Sequence, residues 1–469
     1  MTTWTPTFLD ERASKFISLV DALQRDIEDG RLQPGTKLPP YRDLAISLRI
    51  SPGTVSKAYV EAERRGLVKG EVGRGTFVRN GLSKATTSVK PNNQRSEAEE
   101  LTSAIIDLSL NTPPILSHNK VLAAAFASLS RQSDSELQSR YLPYFSHPQH
   151  QEAAVAWIAR HGLTVRADEV ILTNGAQHAM TVSISAVADR GDVVFTDRLT
   201  YPGMISLASY LGIALEPVEG DGEGMTPQNL DKAARRGKGK AVYLMPNFQN
   251  PTSRTMGLAR RQAIAETAIR HGLFIIEDDI YGLLGQSRIP AIRDLAPEAS
   301  FYLTSMAKSV IPALRVGFLL PPKFKIAEVN AAMRATGWTA APLMVDVAAR
   351  MILDGTAERL AAQNRHEALR RQELAHAVLG TWLSGEPTPS YHTWLELPKA
   401  WNTEVFVSAA RIAGVIVTPT EGVRVGAGDP GGVRLCMGAA RTVSGLEMAM
   451  RRLEAILLGH QQSGVAGLI

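Results

Sequence analysis

Lys308 stands three residues after Ser305 and seven before Arg315. A lysine amine can condense with an aldehyde, and a hydroxyl and a guanidinium close by can hold a phosphate. Asp278 precedes Tyr281 by three residues within Glu277-Asp278-Asp279-Ile280-Tyr281. A carboxylate can keep a heterocyclic nitrogen protonated, and a phenol and an amide can tune a ring oxygen. The amide is Asn250, in Pro246-Asn247-Phe248-Gln249-Asn250-Pro251-Thr252. Thr173-Asn174-Gly175-Ala176-Gln177 follows an apolar run and opens a helical one, so the amides of Gly175, Ala176 and Gln177 can cradle a phosphate. Together these are the parts that pyridoxal 5'-phosphate chemistry needs. Taken singly, Lys308 reads as a surface lysine and Asp278 as a strand-end acid or a metal ligand. The ordered set is what carries the reading.

The elements that must position these groups are short apolar strands separated by helical segments. Examples are Glu169-Val170-Ile171-Leu172-Thr173, Asp192-Val193-Val194-Phe195, Ala241-Val242-Tyr243-Leu244-Met245 and Leu273-Phe274-Ile275-Ile276-Glu277. Such alternation predicts a mostly parallel sheet with helices on both faces. After about Pro321 a helical stretch leads to a smaller C-terminal α+β part.

Over most of 105–460 the sequence resembles the fold-type I aminotransferases. The resemblance implies roles for the residues above. Lys308 would carry the cofactor as a Schiff base, and Asp278 would pair with its ring nitrogen. Asn250 and Tyr281 would reach the ring oxygen, and Tyr201, in Thr200-Tyr201-Pro202-Gly203, would stack on the ring. Gly175, Ala176, Gln177, Ser305 and Arg315 would hold the phosphate. Arg434, in Gly432-Val433-Arg434-Leu435, would clamp the carboxylate of an amino acid. Tyr141 or Tyr144 would reach the cofactor of a partner subunit. Two departures stand out: Ser253 replaces a usual glycine, and Ser146 stands where glycine is expected after Tyr141.

The first eighty residues follow different rules. Phe16, Ile17, Val20, Leu23 and Ile27 have helical spacing, ended by Gly30. A second helix is predicted from Arg42 to Leu48. A third follows N-cap Ser51 and Pro52 and runs to Arg65. Leu67-Val68-Lys69 and Thr76-Phe77-Val78 alternate like two short strands around Gly73-Arg74-Gly75. Three helices and a two-stranded wing make a winged helix-turn-helix. From Arg31 to Arg79 ten Lys/Arg face four Asp/Glu, a local +6 that exceeds the chain's net +5. Such an excess is an electrostatic footprint for phosphates.

Residues 14–79 resemble the GntR family through Leu38-Pro39-Pro40-Tyr41-Arg42-Asp43-Leu44-Ala45, Thr54-Val55, Ala58-Tyr59 and Gly66-Leu67-Val68. The resemblance implies DNA contacts from Arg42, Thr54, Ser56, Lys57 and, on the wing, Arg74. Pro52 and Gly53 replace the Arg or Lys common early in the recognition helix.

The division is therefore a DNA-binding domain over 10–79, a polar flexible linker over 80–104 and an effector domain over 105–460. The last splits into a large part, about 105–325, and a small part, about 326–460. The single cysteine, Cys436, fits a reducing compartment and reads as a buried thiol. No apolar run reaches the ~20 residues of a membrane helix. Met1-Thr2-Thr3-Trp4, with Asp10 and Glu11 behind it, is no leader peptide, so a cytoplasmic protein is expected. His147 and His150 read as structural, and no metal site is expected.

The fusion as a whole resembles the MocR subfamily of transcription regulators. That resemblance implies a homodimer on a double-stranded DNA operator. It also implies an aminotransferase-like domain that senses an amino acid or other primary amine through an external aldimine. Two further readings stay open: an active aminotransferase that also binds DNA, and a sensor of pyridoxal phosphate itself.

Overall fold

This computed structural model describes residues 4–6, 15–33, 35–48, 50–64, 67–71, 75–78, 105–114, 116, 119–131, 147–285, 289–429 and 431–466. The linker 80–104, Arg74, Tyr141 and Tyr144 lie outside the described residues, as do the side chains of Arg42 and Lys57. The chain divides into two compact units, Met1–Gln94 and Arg95–Ile469.

In the first unit, helix α1 (Lys15–Glu28) buries Leu19, Val20, Leu23 and Ile27, one stripe of its surface. Gly30 follows at φ +73, a left-handed turn that glycine makes without steric cost. Helix α3 (Pro52–Arg64) packs on both α1 and α2 (Tyr41–Leu48). Ser51 caps α3: its Oγ accepts from Thr54 N at 3.2 Å, and Pro52 takes the first helical position, where no N–H is needed. Val55, Ala58 and Ala62 of α3 join Leu19, Leu23 and Leu44 in one core. Each fully buried leucine there contributes about 1.5–3 kcal/mol. Ser56 is exposed and Thr54 half-buried, so both sit off that core face. Strands β1 (Val68–Glu71) and β2 (Gly75–Val78) pair antiparallel with Val68 opposite Val78.

The second unit begins with β3 (Ile106–Asp107). Its main sheet holds β4 (Ile171–Thr173), β5 (Val193–Asp197) and β6 (Ala214–Val218). A small ribbon of β7 (Gly220–Asp221) and β8 (Gly224–Met225) follows. The sheet is completed by β9 (Gly239–Leu244), β10 (Phe274–Asp278), β11 (Ser300–Ser305) and β12 (Gly317–Leu320). The seven strands lie in the order β4-β12-β11-β10-β9-β5-β6. Only β12 runs against its neighbours. Successive side chains feed opposite faces: Ile275 and Ile276 of β10 enter different cores, as do Phe301 and Tyr302 of β11. Burial on both faces explains why these strands read as continuous apolar runs.

Two boundaries differ from the sequence reading. The first sheet strand begins at Ile171 rather than Glu169, because Ala167–Glu169 forms a 3₁₀ turn closed by Glu169 Oε2 on Arg166 N at 2.9 Å. The second difference concerns the two parts of this unit. β3 pairs in parallel with β14 (Val415–Ile416), and Leu108 joins the core of β13 (His392–Glu396) and β15 (Gly432–Cys436). Helices Ile326–Thr336 and Pro342–Leu353 instead pack on the main sheet through Val329, Met333 and Val345. The chain therefore enters through the small part, which a two-residue strand gives no periodicity to announce.

Candidate ligand site

The C-terminal ends of the parallel strands open onto a cavity of about 310 Å³. Open α/β sheets bind their ligands at this edge. The walls include Ala176, Gln177, Tyr201, Asn250, Asp278, Tyr281, Ser305, Lys308, Arg315 and Arg434. Gly175 borders it: a Cβ there would lie 2.8 Å from Arg315 Nη2. A larger cavity, about 510 Å³, lies among Asp197, Arg198, Trp394 and Glu396 and holds none of these residues.

Each side chain arrives from a strand end or the turn after it. Asp278 closes β10 and is buried; its Oδ2 accepts from Tyr243 Oη at 2.8 Å and its Oδ1 from Ile280 N at 3.3 Å. Burial pushes this carboxyl up to about 7. Ser305 closes β11, and its Oγ caps the short helix Met306–Ser309 by accepting from Ala307 N at 3.2 Å. That turn carries Lys308. Burial, helped by Arg434 and Arg315, brings the Lys308 amine down to about 8, and its Nζ donates to the Asn111 carbonyl. A lysine so lowered keeps an appreciable neutral, nucleophilic fraction near neutral pH.

Gly175 (φ +83) caps helix Ala176–Ser185, whose first-turn N–H groups have no partner within the helix. Arg315, itself at φ 52, extends toward Asn174 O at 3.4 Å. Glycine at 175 is what leaves room for that guanidinium. Tyr201 Oη donates to Gln177 Oε1 at 3.3 Å. On the far wall Arg434 Nη1 donates to Asn250 Oδ1 at 2.9 Å. Its Nε and Nη2 donate to Thr418 Oγ1 at 3.2 and 2.9 Å, and Nη2 also to Ser109 O at 2.8 Å.

Sequence reasoning missed several groups. Ser109 and Asn111 line the cavity from the segment after β3. His392 is fully buried; its Nε2 bonds Gln249 O at 3.0 Å and its Nδ1 bonds Asn111 Nδ2 at 2.9 Å. Burial drives His392 down to about 3, so it is neutral. Tyr243 gave a signal, as the one polar group in the apolar run Ala241-Val242-Tyr243-Leu244-Met245. His392, Thr418 and Asn111 gave none, because their partners are distant in sequence.

Cys436 is a buried free thiol. His147 and His150 lie with ring centroids 4.4 Å apart, and His150 Nε2 is 3.3 Å from Asp346 Oδ1. Among the described residues no three His, Cys, Asp or Glu converge as metal ligands. No helix among them is long and apolar enough to cross a membrane.

Residues 103–453 match the family model for aminotransferase class I and II, and residues 18–78 match that for bacterial regulatory proteins of the gntR family. YdeF, an HTH-type transcriptional regulator of Bacillus subtilis, is 30% identical over 97% of this chain and 96% of its own length. The chain belongs to the MocR subfamily of GntR-type transcription regulators. As a MocR protein it joins a winged-helix reader to an aminotransferase-like domain. The vitamin B6 salvage pathway transcriptional repressor PtsJ of Salmonella typhimurium is 26% identical over 81% of this chain and 84% of its own. Among solved structures, the α-aminoadipate aminotransferase LysN of Thermus thermophilus superposes with a TM-score of 0.67 at 24% identity. It covers 79% of this chain and 96% of its own, a likeness of fold.

Proposed function

We propose that this regulator binds pyridoxal 5'-phosphate in the 310 Å³ cavity and reads an amino acid or other primary amine there. The observation that carries the proposal is the meeting of Lys308, Asp278, Arg315 and Arg434 in one cavity, drawn from three separate stretches of chain. The groups present fit the cofactor. The Gly175 cradle, the first-turn amides of Ala176 and Gln177, Ser305 and Arg315 suit a phosphate. Asp278, costly to ionise alone, suits a protonated ring nitrogen, whose charge would bring its pKa back down. Asn250 and Tyr281 line the same cavity and would reach the ring oxygen, Tyr201 would offer a face for stacking, and Lys308 the amine for attachment. LysN, of the same fold, was crystallised with N-(5'-phosphopyridoxyl)-L-leucine. When bound, the cofactor supplies an aldehyde that captures amines and a ring that withdraws electrons from them.

Arg434 is the group for an effector's carboxylate. Because it bridges Ser109, Thr418 and Asn250, a carboxylate there must rearrange contacts between the two parts of this unit. Such an exchange is a means of biasing two conformations, by 1–3 kcal/mol for a typical effector. On the DNA side, Thr54 and Ser56 of α3 with Arg42, Lys57 and Arg74 would meet the operator. A homodimer would match a two-fold operator, and Tyr141 would then serve the partner's site. Reconstitution with pyridoxal phosphate, followed by absorbance and by borohydride reduction and peptide mapping, tests the assignment: Lys308 is the expected site of attachment. Turnover as an aminotransferase is the second reading, since the same four groups are those such an enzyme uses. A full amine-to-keto-acid cycle near ~1 s⁻¹ would favour it.

A further inference from the structure

Tyr281 is buried, and Asn111 Nδ2 donates to its Oη at 2.9 Å. Among the described residues no acceptor takes the Tyr281 proton. The direction of the Asn111 bond follows from the histidine behind it. Gln249 O is a carbonyl and can only accept, so His392 Nε2 carries the proton and donates at 3.0 Å. His392 is neutral, so its Nδ1 is bare and must accept from Asn111 Nδ2 at 2.9 Å. Both Nδ2 hydrogens are then committed, one to His392 and one to Tyr281. Asn111 Oδ1 is left buried without a hydrogen-bond partner. That loss costs free energy, roughly 1–3 kcal/mol, but flipping the amide would set Oδ1 against the bare Nδ1 of His392 and leave Nδ2 buried without an acceptor in its place.

We propose that Asn111, oriented by His392, is a positioning residue that turns the Tyr281 hydroxyl proton into the cavity, making Tyr281 a donor to an anionic ring oxygen. The inference rests on the cofactor reading above and deepens it. Tyr281 already accepts from Asn111, so its own proton is free to point at a ligand. The ring of His392 holds Tyr281 from the side, centroid to centroid 5.3 Å. The charged and titratable groups facing Tyr281 are Arg434 and Cys436 from β15, Asp278 from β10, and Tyr201. None of them hydrogen-bonds its hydroxyl among the described residues. Asn111 also accepts from Lys308 through its carbonyl, so one residue touches both groups that meet the cofactor's reactive end.

The test uses the full chain loaded with pyridoxal phosphate, with absorbance followed against pH. A donor to the ring oxygen favours the form in which that oxygen is negative, and so lowers the midpoint of the absorbance change. Asn111→Ala should raise the midpoint by roughly half a unit to one unit, the scale of one hydrogen bond. Asn111→Ser, which offers one hydrogen instead of two, should raise it less and guards against a folding defect in the alanine variant. In a Tyr281→Phe background, Asn111→Ala should add nothing, because the two residues act as one unit. An unchanged midpoint in both Asn111 variants, or a full shift that persists without the Tyr281 hydroxyl, overturns the proposal. Failure of the wild-type chain to take up pyridoxal phosphate overturns the reading beneath it, and that outcome is distinguishable from the other two.

Discussion

Arg434 Nη1 donates to the amide oxygen of Asn250 at 2.9 Å, tying β15 of the small part to the turn that follows β9 in the main sheet. The same guanidinium holds Ser109 O and Thr418 Oγ1. Among the described residues, four of its five N–H hydrogens are therefore engaged, leaving one on Nη1. A carboxylate can take Arg434 in bidentate fashion only by displacing a present partner. Ser109 is the partner on the segment that continues from the linker region, so the exchange acts on the chain nearest the DNA-binding unit in sequence.

Arg434→Ala should therefore separate two kinds of ligand. Hydrogen bonds to charged groups contribute about 1.5–3 kcal/mol, so amino acids should bind the loaded protein roughly 10- to 100-fold more weakly. Amines without a carboxylate should bind nearly as before. Titration of the cofactor's absorbance with paired ligands, an amino acid and its decarboxylated amine, checks this. Equal losses for both would show that Arg434 acts on the fold rather than on the carboxylate.

Lys308 sets a pH dependence whose sign follows from its environment. Its pKa is lowered to about 8, so the reactive neutral amine forms above that pH. The rate of pyridoxal phosphate attachment should climb about tenfold per unit below pH 8 and level off above it. An unperturbed lysine would continue to climb toward ~10.4. Stopped-flow absorbance across pH 6–10 distinguishes the two curves.

Gly175→Ala should damage the phosphate end of the site selectively. Residue 175 sits at φ +83, and the added methyl carbon would lie 2.8 Å from Arg315 Nη2. Left-handed backbone in a non-glycine residue costs about 1–2 kcal/mol, and Arg315 must also move. A fall of about tenfold or more in cofactor affinity is expected, with pyridoxal lacking its phosphate affected much less. Equilibrium titration with the two aldehydes measures the difference.

Much of this arrangement was legible in the sequence because its parts are local. Asp278 and Tyr281 share one strand end and its turn; Ser305, Lys308 and Arg315 share another. Strand ends in an open α/β sheet meet at one edge, so local spacing there implies convergence in space. The α3 cap was legible for the same reason, since Ser51 and Thr54 are neighbours in sequence. What stayed hidden was long-range. Asn111 reaches Tyr281 across 170 residues and His392 across 281, and no spacing rule encodes such pairs. The entry of β3 into the small part escaped notice because two residues carry no pattern.

Ser51→Ala should weaken the reader without touching the ligand site. It removes the side-chain acceptor for Thr54 N, a loss of about 0.5–2 kcal/mol to the first turn of α3. DNA affinity in the full chain should fall while uptake of pyridoxal phosphate is unchanged. Parallel mobility-shift and absorbance titrations give both readouts.

The central claim, that a ligand on Lys308 is read out as DNA affinity, is tested most directly by operator-binding titrations of the loaded full chain. The DNA is the region upstream of its own gene, and the ligands are a panel of amino acids and amines. Wild type and Lys308→Ala are compared at the same salt concentration. The account predicts that an effective amine shifts wild-type affinity by about 5- to 150-fold and leaves Lys308→Ala unmoved. An equal shift in both proteins would contradict it.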